Sequence, residues 1–345
     1  MDSQRSSELS NRTKLSYQTI AQRSGLSIST VSRVFNKSAS VSEEKRERVV
    51  RALQELGADV QQLDLKPIPR NNLILFNVPS LKNPFYSPII ESARRSARRF
   101  GYNMLVSENE LSPSSLPDFL SLLKTTRAAG VILTNAIVPE CVERIRDSVP
   151  VVTCCESSSA LDVPYVTIDD ESASEDAVKY LLSLGRRRIA MINGPEDFKY
   201  ARERYKGYCQ ALRSQGLCVD DSLVCSVGVD MDYDMARAHA GRMLSRAERP
   251  DAFFCISDVL ASAAIKASVE AGLDVPRDIA VVGFDNIQIS QIMNPTITTV
   301  SQPVVQLGTI AVELLLKVIG GERGLIGSIH LGCELVIRES TATFR

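Results

Sequence analysis

Arg33 stands at the end of Ser27-Ile-Ser-Thr-Val-Ser-Arg33. A guanidinium there could fork onto the two acceptors of a guanine edge, a pairing worth about 1–3 kcal/mol of discrimination between bases. Ile28 offers apolar contact to a thymine methyl, Ser29 a hydroxyl for a base or a phosphate, and Thr30 and Ser32 suit the phosphate backbone. Taken alone, Arg33 is more simply an exposed helix arginine. The groups that make and break bonds are missing: there is no Gly-x-Ser-x-Gly elbow, P-loop, His-Glu-x-x-His or dinucleotide glycine fingerprint. His239 and His330 are the only histidines, and the eight cysteines form no Cys-x-x-Cys pair. Recognition without an enzyme, a metal or a cofactor is the expectation.

Helices must position Arg33. Ser16 to Gly25 reads as a short helix, capped by Ser16 and ended by Gly25 in a left-handed turn. A second helix follows from its cap Ser27, with Val31, Val34 and Phe35 spaced to pack on Ile20 and Ala21; a third, Ser42 to Leu56, buries Val49, Val50, Leu53 and Leu56. Three small helices with a tight turn between the first two describe a helix-turn-helix, which offers the start of its second helix to the major groove. Between Arg12 and Arg51, nine basic residues face three acidic ones, a net of +6; since the chain sums to -1, the rest carries -7. A cationic head on an anionic body implies that only the head meets a polyanion.

The chain has 345 residues, 44% hydrophobic and 23% charged, enough for two or more folding units. Its start, Met1 to Lys14, is polar, and no apolar run approaches the roughly 18 residues of a membrane helix, so a cytoplasmic protein with no membrane contact is expected.

The run Thr19-Ile-Ala-Gln-Arg-Ser-Gly-Leu-Ser-Ile-Ser-Thr-Val-Ser-Arg-Val-Phe-Asn36, followed by Val41-Ser-Glu-Glu-Lys-Arg-Glu-Arg-Val49, closely resembles the head of the lactose/galactose repressor (LacI/GalR) family. The resemblance implies a transcriptional regulator, most simply a repressor, that binds double-stranded palindromic operator DNA as a homodimer under allosteric control by a small-molecule effector. It sets the base-reading positions on Ile28, Ser29 and Arg33, and the fuller candidate DNA-contact set is Ser16, Tyr17, Thr30, Ser32, Asn36 and Leu63 beside them. Thr19 departs from the aspartate usual in the family, which bears on helix capping. After Gly57, prolines at 67 and 69 mark an extended link. Val60-Gln-Gln-Leu63 resembles the family's hinge helix, with Leu63 as the minor-groove wedge, although the usual lead-in is missing and Asp59 and Asp64 add negative charge. A plain linker residue is the alternative for Leu63.

From Asn72 onward apolar runs alternate with amphipathic segments, beginning with Leu73 to Val78 and Ser87 to Phe100, and the alternation restarts at Tyr165 to Ile168. This implies α/β lobes with parallel sheets covered on both faces, and resembles the periplasmic-binding-protein type of body. The expected organisation is a disordered tail 1–14, an all-α head 15–57, a hinge 58–70 and a two-lobed body 71–345. The first lobe takes about 71–169 and 300–329 and the second about 170–299 and 330–345, with crossings near Asp169, Thr299 and Ile329. The family's optional tetramer-forming helix is not found before Arg345, so a dimer is expected.

Open parallel sheets bind ligands beyond the carboxyl ends of their strands. By that rule Phe85 and Tyr86 could stack on a flat ligand, and Thr134 and Asn135 end the third strand. Resemblance adds Arg204, in Arg204-x-x-Gly-aromatic, as the effector-binding arginine, Ser257-Asp258 after a strand, and Asp285 in Gly283-Phe-Asp-Asn286. Asp258 is more simply a helix cap, Arg204 could pair with Asp285 across an empty cleft, and Phe85 and Tyr86 could be lobe core. The departures are Met231 where an aromatic ring is common, Phe198 and Tyr200 where smaller polar residues stand, and Cys154-Cys155-Glu156 where an aspartate is usual. A sugar or sugar derivative leads as effector. A nucleobase or other flat metabolite, or a protein signal, are alternatives, and a solute-binding protein would have no use for residues 15–56.

Overall fold

The computed structural model describes residues 17–35, 41–56, 72–136, 138–157, 161–321 and 327–342. The expectations for the tail 1–14, for Ser16 and Asn36, and for Leu63 within the hinge 58–70 lie outside the described residues. The chain divides into two compact units, Met1–Arg70 and Asn71–Arg345.

The first unit holds α1 (Tyr17–Ser24), α2 (Ile28–Phe35) and α3 (Glu43–Glu55). Ile20, Ala21, Val31, Val34, Val49, Val50 and Leu53 form its core, the i, i+3, i+4 positions of the three helices meeting at one centre. Gly25 takes φ +65° after α1, a conformation that penalises a side chain. Arg48 on α3 donates to the carbonyls of Ser24 and Gly25 at 3.1 and 3.2 Å, satisfying acceptors that the end of α1 leaves without partners. Ser27 accepts from the Thr30 amide at 3.2 Å and so caps α2.

The second unit contains two six-stranded sheets. One has the order β11-β5-β4-β3-β1-β2, from β1 (Leu73–Val78), β2 (Asn103–Glu108), β3 (Gly130–Leu133), β4 (Val151–Cys154), β5 (Tyr165–Ile168) and β11 (Ile329–Leu331), all parallel. The other has the order β12-β10-β9-β8-β6-β7, from β6 (Ile189–Asn193), β7 (Val224–Ser226), β8 (Ala252–Cys255), β9 (Ala280–Asp285), β10 (Thr298–Ser301) and β12 (Glu334–Val336). It is parallel except for β12, which runs antiparallel to β10.

Central strands such as β3, β4 and β8 are buried along their whole length, as expected where helices cover both faces. The period-2 alternation of a strand sorts β1 between two cores. Ile74 and Phe76 pack with Ile89 and Ala93 of α4 (Tyr86–Arg99) and Leu307, Ala311 and Leu315 of α12 (Val304–Ile319), whereas Leu75 packs with Phe119 of α5 (Leu116–Thr126) and Ile145 of α6 (Pro139–Arg146). Arg94, Arg95, Arg98 and Arg99 of α4 face outward, as a solvated helix face should. Between the remaining strands run α7 (Asp170–Ser183), α8 (Lys199–Ser214), α9 (Tyr233–Leu244), α10 (Asp258–Glu270) and the single turn α11 (Ile289–Ile292).

Each lobe brings two helices together at a glycine. A Cβ on Gly207 of α8 would collide with the Glu171 carbonyl oxygen and crowd the Glu175 amide on α7; one on Gly308 of α12 would collide with the Ile89 carbonyl oxygen and Ser92 Oγ on α4. The chain passes between the lobes three times. β10 belongs to the second sheet through Ser301 and β11 to the first through Leu331. The second and third crossings therefore lie a few residues beyond Thr299 and Ile329, because the strand ladders run past those positions before the chain turns.

Candidate functional site

In the head, Ile28 is half exposed and Ser29 exposed at the start of α2. An apolar side chain so placed is able to touch a base methyl. The Thr30 hydroxyl shares a hydrogen bond with Ser27 Oγ at 2.8 Å, which fixes it beside the cap. Ser32 and Arg33 follow within α2, and Tyr17 is the first residue of α1.

In the second unit, strand ends from both lobes converge on a narrow cavity of about 20 Å³. Phe85, Tyr86, Thr134, Tyr200, Arg204, Met231 and Asp285 line it. Phe198 does not: its ring leans on Tyr200 with 5.3 Å between centroids and lines a wider neighbouring opening. Ser257 does not either, because its hydroxyl accepts from the Leu260 amide at 3.3 Å and caps α10. The cap is thus Ser257 and not Asp258. Asp258, the first residue of α10, is buried and accepts from the Ile287 amide at 2.8 Å. Phe85 and Tyr86 are largely buried, edge to face with 5.5 Å between centroids, and belong to the lobe core as well as to the cavity wall. Asn135 is withdrawn into a buried bond network with Asn77 and the Asn109 carbonyl.

The cavity's charge is organised around a residue that sequence reasoning missed. Asp170 is buried, with Oδ1 accepting from Arg204 Nε and Oδ2 from Lys199 Nζ, both at 2.8 Å. Arg204 also donates through Nη1 to the Ile256 carbonyl at 2.7 Å, while Asp285 Oδ1 stands farther off at 3.8 Å. The expected Arg204–Asp285 pairing is therefore secondary. The Arg204 guanidinium carbon lies 3.5 Å from the centroid of the Phe284 ring and 5.3 Å from that of Tyr200, a cation–π clamp that holds the fork flat. Asp285 accepts from Gln302 Nε2 at 2.7 Å. Burial pushes its carboxyl up to about 6, against the pull of Arg204 and Gln302.

Glu156, at the end of the first lobe's β4, reaches the second lobe: its Oε2 accepts from the Lys199 backbone amide at 2.8 Å, at the amino end of α8. Its Oε1 is buried with no hydrogen-bond partner among the described residues. Burial raises the carboxyl to about 8, and the Lys199 amide only partly offsets this. Three of the cavity residues, Cys155 (φ 70°), Met231 (φ 53°) and Asp285 (φ 100°), adopt positive φ without being glycine. Such residues cost on the order of 1–3 kcal/mol each and gather at binding sites, where surrounding structure imposes them. The signal for Asp170, Glu156 and Gln302 was present, since each follows a strand by one to two residues; the strand-end rule applied to every strand finds all three.

Residues 17–57 match the description "Bacterial regulatory proteins, lacI family", and residues 178–341 match "Periplasmic binding protein-like domain". The chain is 34% identical over 326 residues to the HTH-type transcriptional repressor CytR of Escherichia coli K12, covering 93% of this chain and 95% of CytR. It is 31% identical over 330 residues to the HTH-type transcriptional regulator DegA of Bacillus subtilis 168, covering 94% and 97% respectively. Among solved structures, the complex of the transcriptional regulator CelR with cellobiose superposes with a TM-score of 0.71 at 30% identity, over 95% of this chain and all of that one. Among the described residues no helix is long and apolar enough to cross a membrane. A helix-turn-helix, a two-lobed body and end-to-end similarity to named regulators establish that the chain belongs to the LacI family of bacterial regulatory proteins and is a DNA-binding regulator of transcription, not an enzyme.

Proposed function

We propose that this protein is a cytoplasmic repressor that binds an inverted-repeat operator as a homodimer and is switched by a sugar or sugar derivative held between its lobes. The domain reading is a head at 15–57, a hinge at 58–70 and a body at 71–345. Ile28, Ser29 and Arg33 read bases, with Tyr17, Thr30 and Ser32 on the backbone, while Ser16, Asn36 and the wedge Leu63 complete the set from outside the described residues.

The observation that carries the effector reading is the meeting of Arg204 and Asp285 with the rings of Tyr86 and Tyr200 around one cavity shared by both lobes. A pyranose has paired hydroxyls for the charged groups and an apolar face for the rings. The similarity to the cellobiose-bound regulator favours the same class. A nucleobase or other flat metabolite is the second reading, favoured by the number of rings and by Met231 in the wall. Ligand changes lobe closure and thereby the spacing of the two heads, with a coupling of about 1–3 kcal/mol that acts equally on both affinities.

Selection from a pool of random duplexes tests the DNA reading, with one enriched symmetric sequence expected and none refuting it. Thermal shift against a metabolite panel tests the effector reading, because a ligand at about 100 times its Kd adds about 2.7 kcal/mol of stability. Light scattering on the operator complex should return two chains per site.

A further inference from the structure

An anion entering this cleft would meet a single cation. Among the described residues, Arg204 is the only lysine or arginine that lines the inner cavity, the wider opening beside Phe198, or the opening on the α11 side. Two of its nitrogens, Nε and Nη1, are already engaged by Asp170 and the Ile256 carbonyl. Helix amino ends are the other usual seat for phosphate. Four of them already have an acceptor, Glu156 at α8, Asp169 at α7 through the Ser172 amide, Asp232 at α9 through the Met235 amide and Ser257 at α10, whereas α4 and α12, whose first turns also border the cavity, have no side-chain cap. The wider opening is rimmed by Glu110, Asp197, Asp230 and Asp232. Lys82 is paired with Asp230 of this rim at 2.8 Å. Glu156 lines the cavity with its side chain only 1% exposed, and its Oε1 has no hydrogen-bond partner among the described residues.

Building on the small-molecule reading above, we propose that the cleft selects an uncharged ligand that gives a hydrogen-bond acceptor to Glu156, and that it rejects phosphate esters and carboxylates. Glu156 serves as a neutral acid: Oε2 accepts from the Lys199 amide while Oε1 carries the proton and donates. A glutamine has the same acceptor and donor arrangement; a methionine has neither. A dianionic phosphate would add charge beside Asp285 and Asp170 with only Arg204, already bonded to Asp170, to answer it, and like charge at that range is unfavourable.

The test is isothermal calorimetry on the full chain at pH 7 with matched pairs: glucose and glucose 6-phosphate, ribose and ribose 5-phosphate, cellobiose and its 6-phosphate, glucose and gluconate, and the four ribonucleosides and their 5′-monophosphates. Mass spectrometry of molecules retained from a bacterial metabolite extract extends the search. Uncharged molecules should bind, each at least tenfold tighter than its charged partner. A phosphate ester or carboxylate that binds as tightly as its uncharged counterpart, or is the retained molecule, overturns this proposal and leaves the effector reading standing. If nothing binds and nothing is retained, the effector reading falls and this proposal with it. With the best uncharged ligand, Glu156→Gln should keep affinity within threefold and Glu156→Met should lose at least tenfold. Equal loss in both would mean that the group acts as a carboxylate and would overturn the proposed role.

Discussion

Asp170 holds Arg204 by a 2.8 Å bond from Nε to Oδ1 with both side chains almost fully buried. The same carboxylate takes Lys199 on its other oxygen. Its loss would leave buried Arg204 with only the more distant Asp285 and buried Lys199 with only Glu203, which costs far more than the pairing itself stabilises.

Asp170→Asn should therefore lower unfolding stability by about 3–5 kcal/mol in urea titration. The neighbouring Asp169→Asn, which keeps a capping side chain at α7, should change it by well under 1 kcal/mol. Equal effects would show that Asp170 is not the centre of the charge network.

Arg204→Ala should abolish the ligand response, read as a ligand-dependent shift in Tm, and leave operator binding of the ligand-free protein within a few fold. A surviving response would remove Arg204 from the binding site.

Glu156 gives a pH signature. Its carboxyl is raised from 4.5 to about 8 by burial, with Asp170 adding to the rise and the Lys199 and Tyr200 amides and the Lys199 charge opposing it. The folded chain thus holds a proton that the unfolded chain releases above about 4.5, so stability at this site falls as pH rises from 4.5 to 8 and then levels off. Glu156→Gln removes that dependence. Its stability relative to the native chain should climb between pH 5.5 and 8, by at most about 1.4 kcal/mol per pH unit. A constant difference across that range would contradict the neutral acid.

For the head, Arg33→Ala should cost about 1–3 kcal/mol on the operator while leaving weak, salt-sensitive binding to random DNA. An equal loss on both duplexes in a fluorescence titration would assign Arg33 to phosphate.

Gly207→Ala should destabilise by about 1–3 kcal/mol through the collision with α7, since packed helices cannot separate without losing their interface. Gly241→Ala, a helix position with open space around it, should be neutral or stabilising. Chemical denaturation of the two variants separates close approach from helix propensity.

Much of this architecture is legible in the sequence because the signals are local. The runs at Leu73–Val78 and Val151–Cys154 are apolar except for Asn77 and Thr153, as buried parallel strands mostly are. Gly25 and Ser27 mark the turn of the head by their own backbone chemistry. The cavity was harder, because its wiring is non-local: Asp170 and Arg204 are 34 residues apart, and nothing in either segment says that they share a bond. Asp169 and Asp170 illustrate the limit. They are identical in type and adjacent, yet one caps a helix in solvent and the other anchors two buried cations, a difference set by which way the first turn of α7 faces.

The third passage between the lobes is laced to both of the others. Leu331 pairs with Ile168 where the first passage leaves its sheet, and Glu334 pairs with Ser301 where the second does. The three passages are therefore held side by side where they leave their sheets, and none can shift along its neighbour without breaking these backbone pairs.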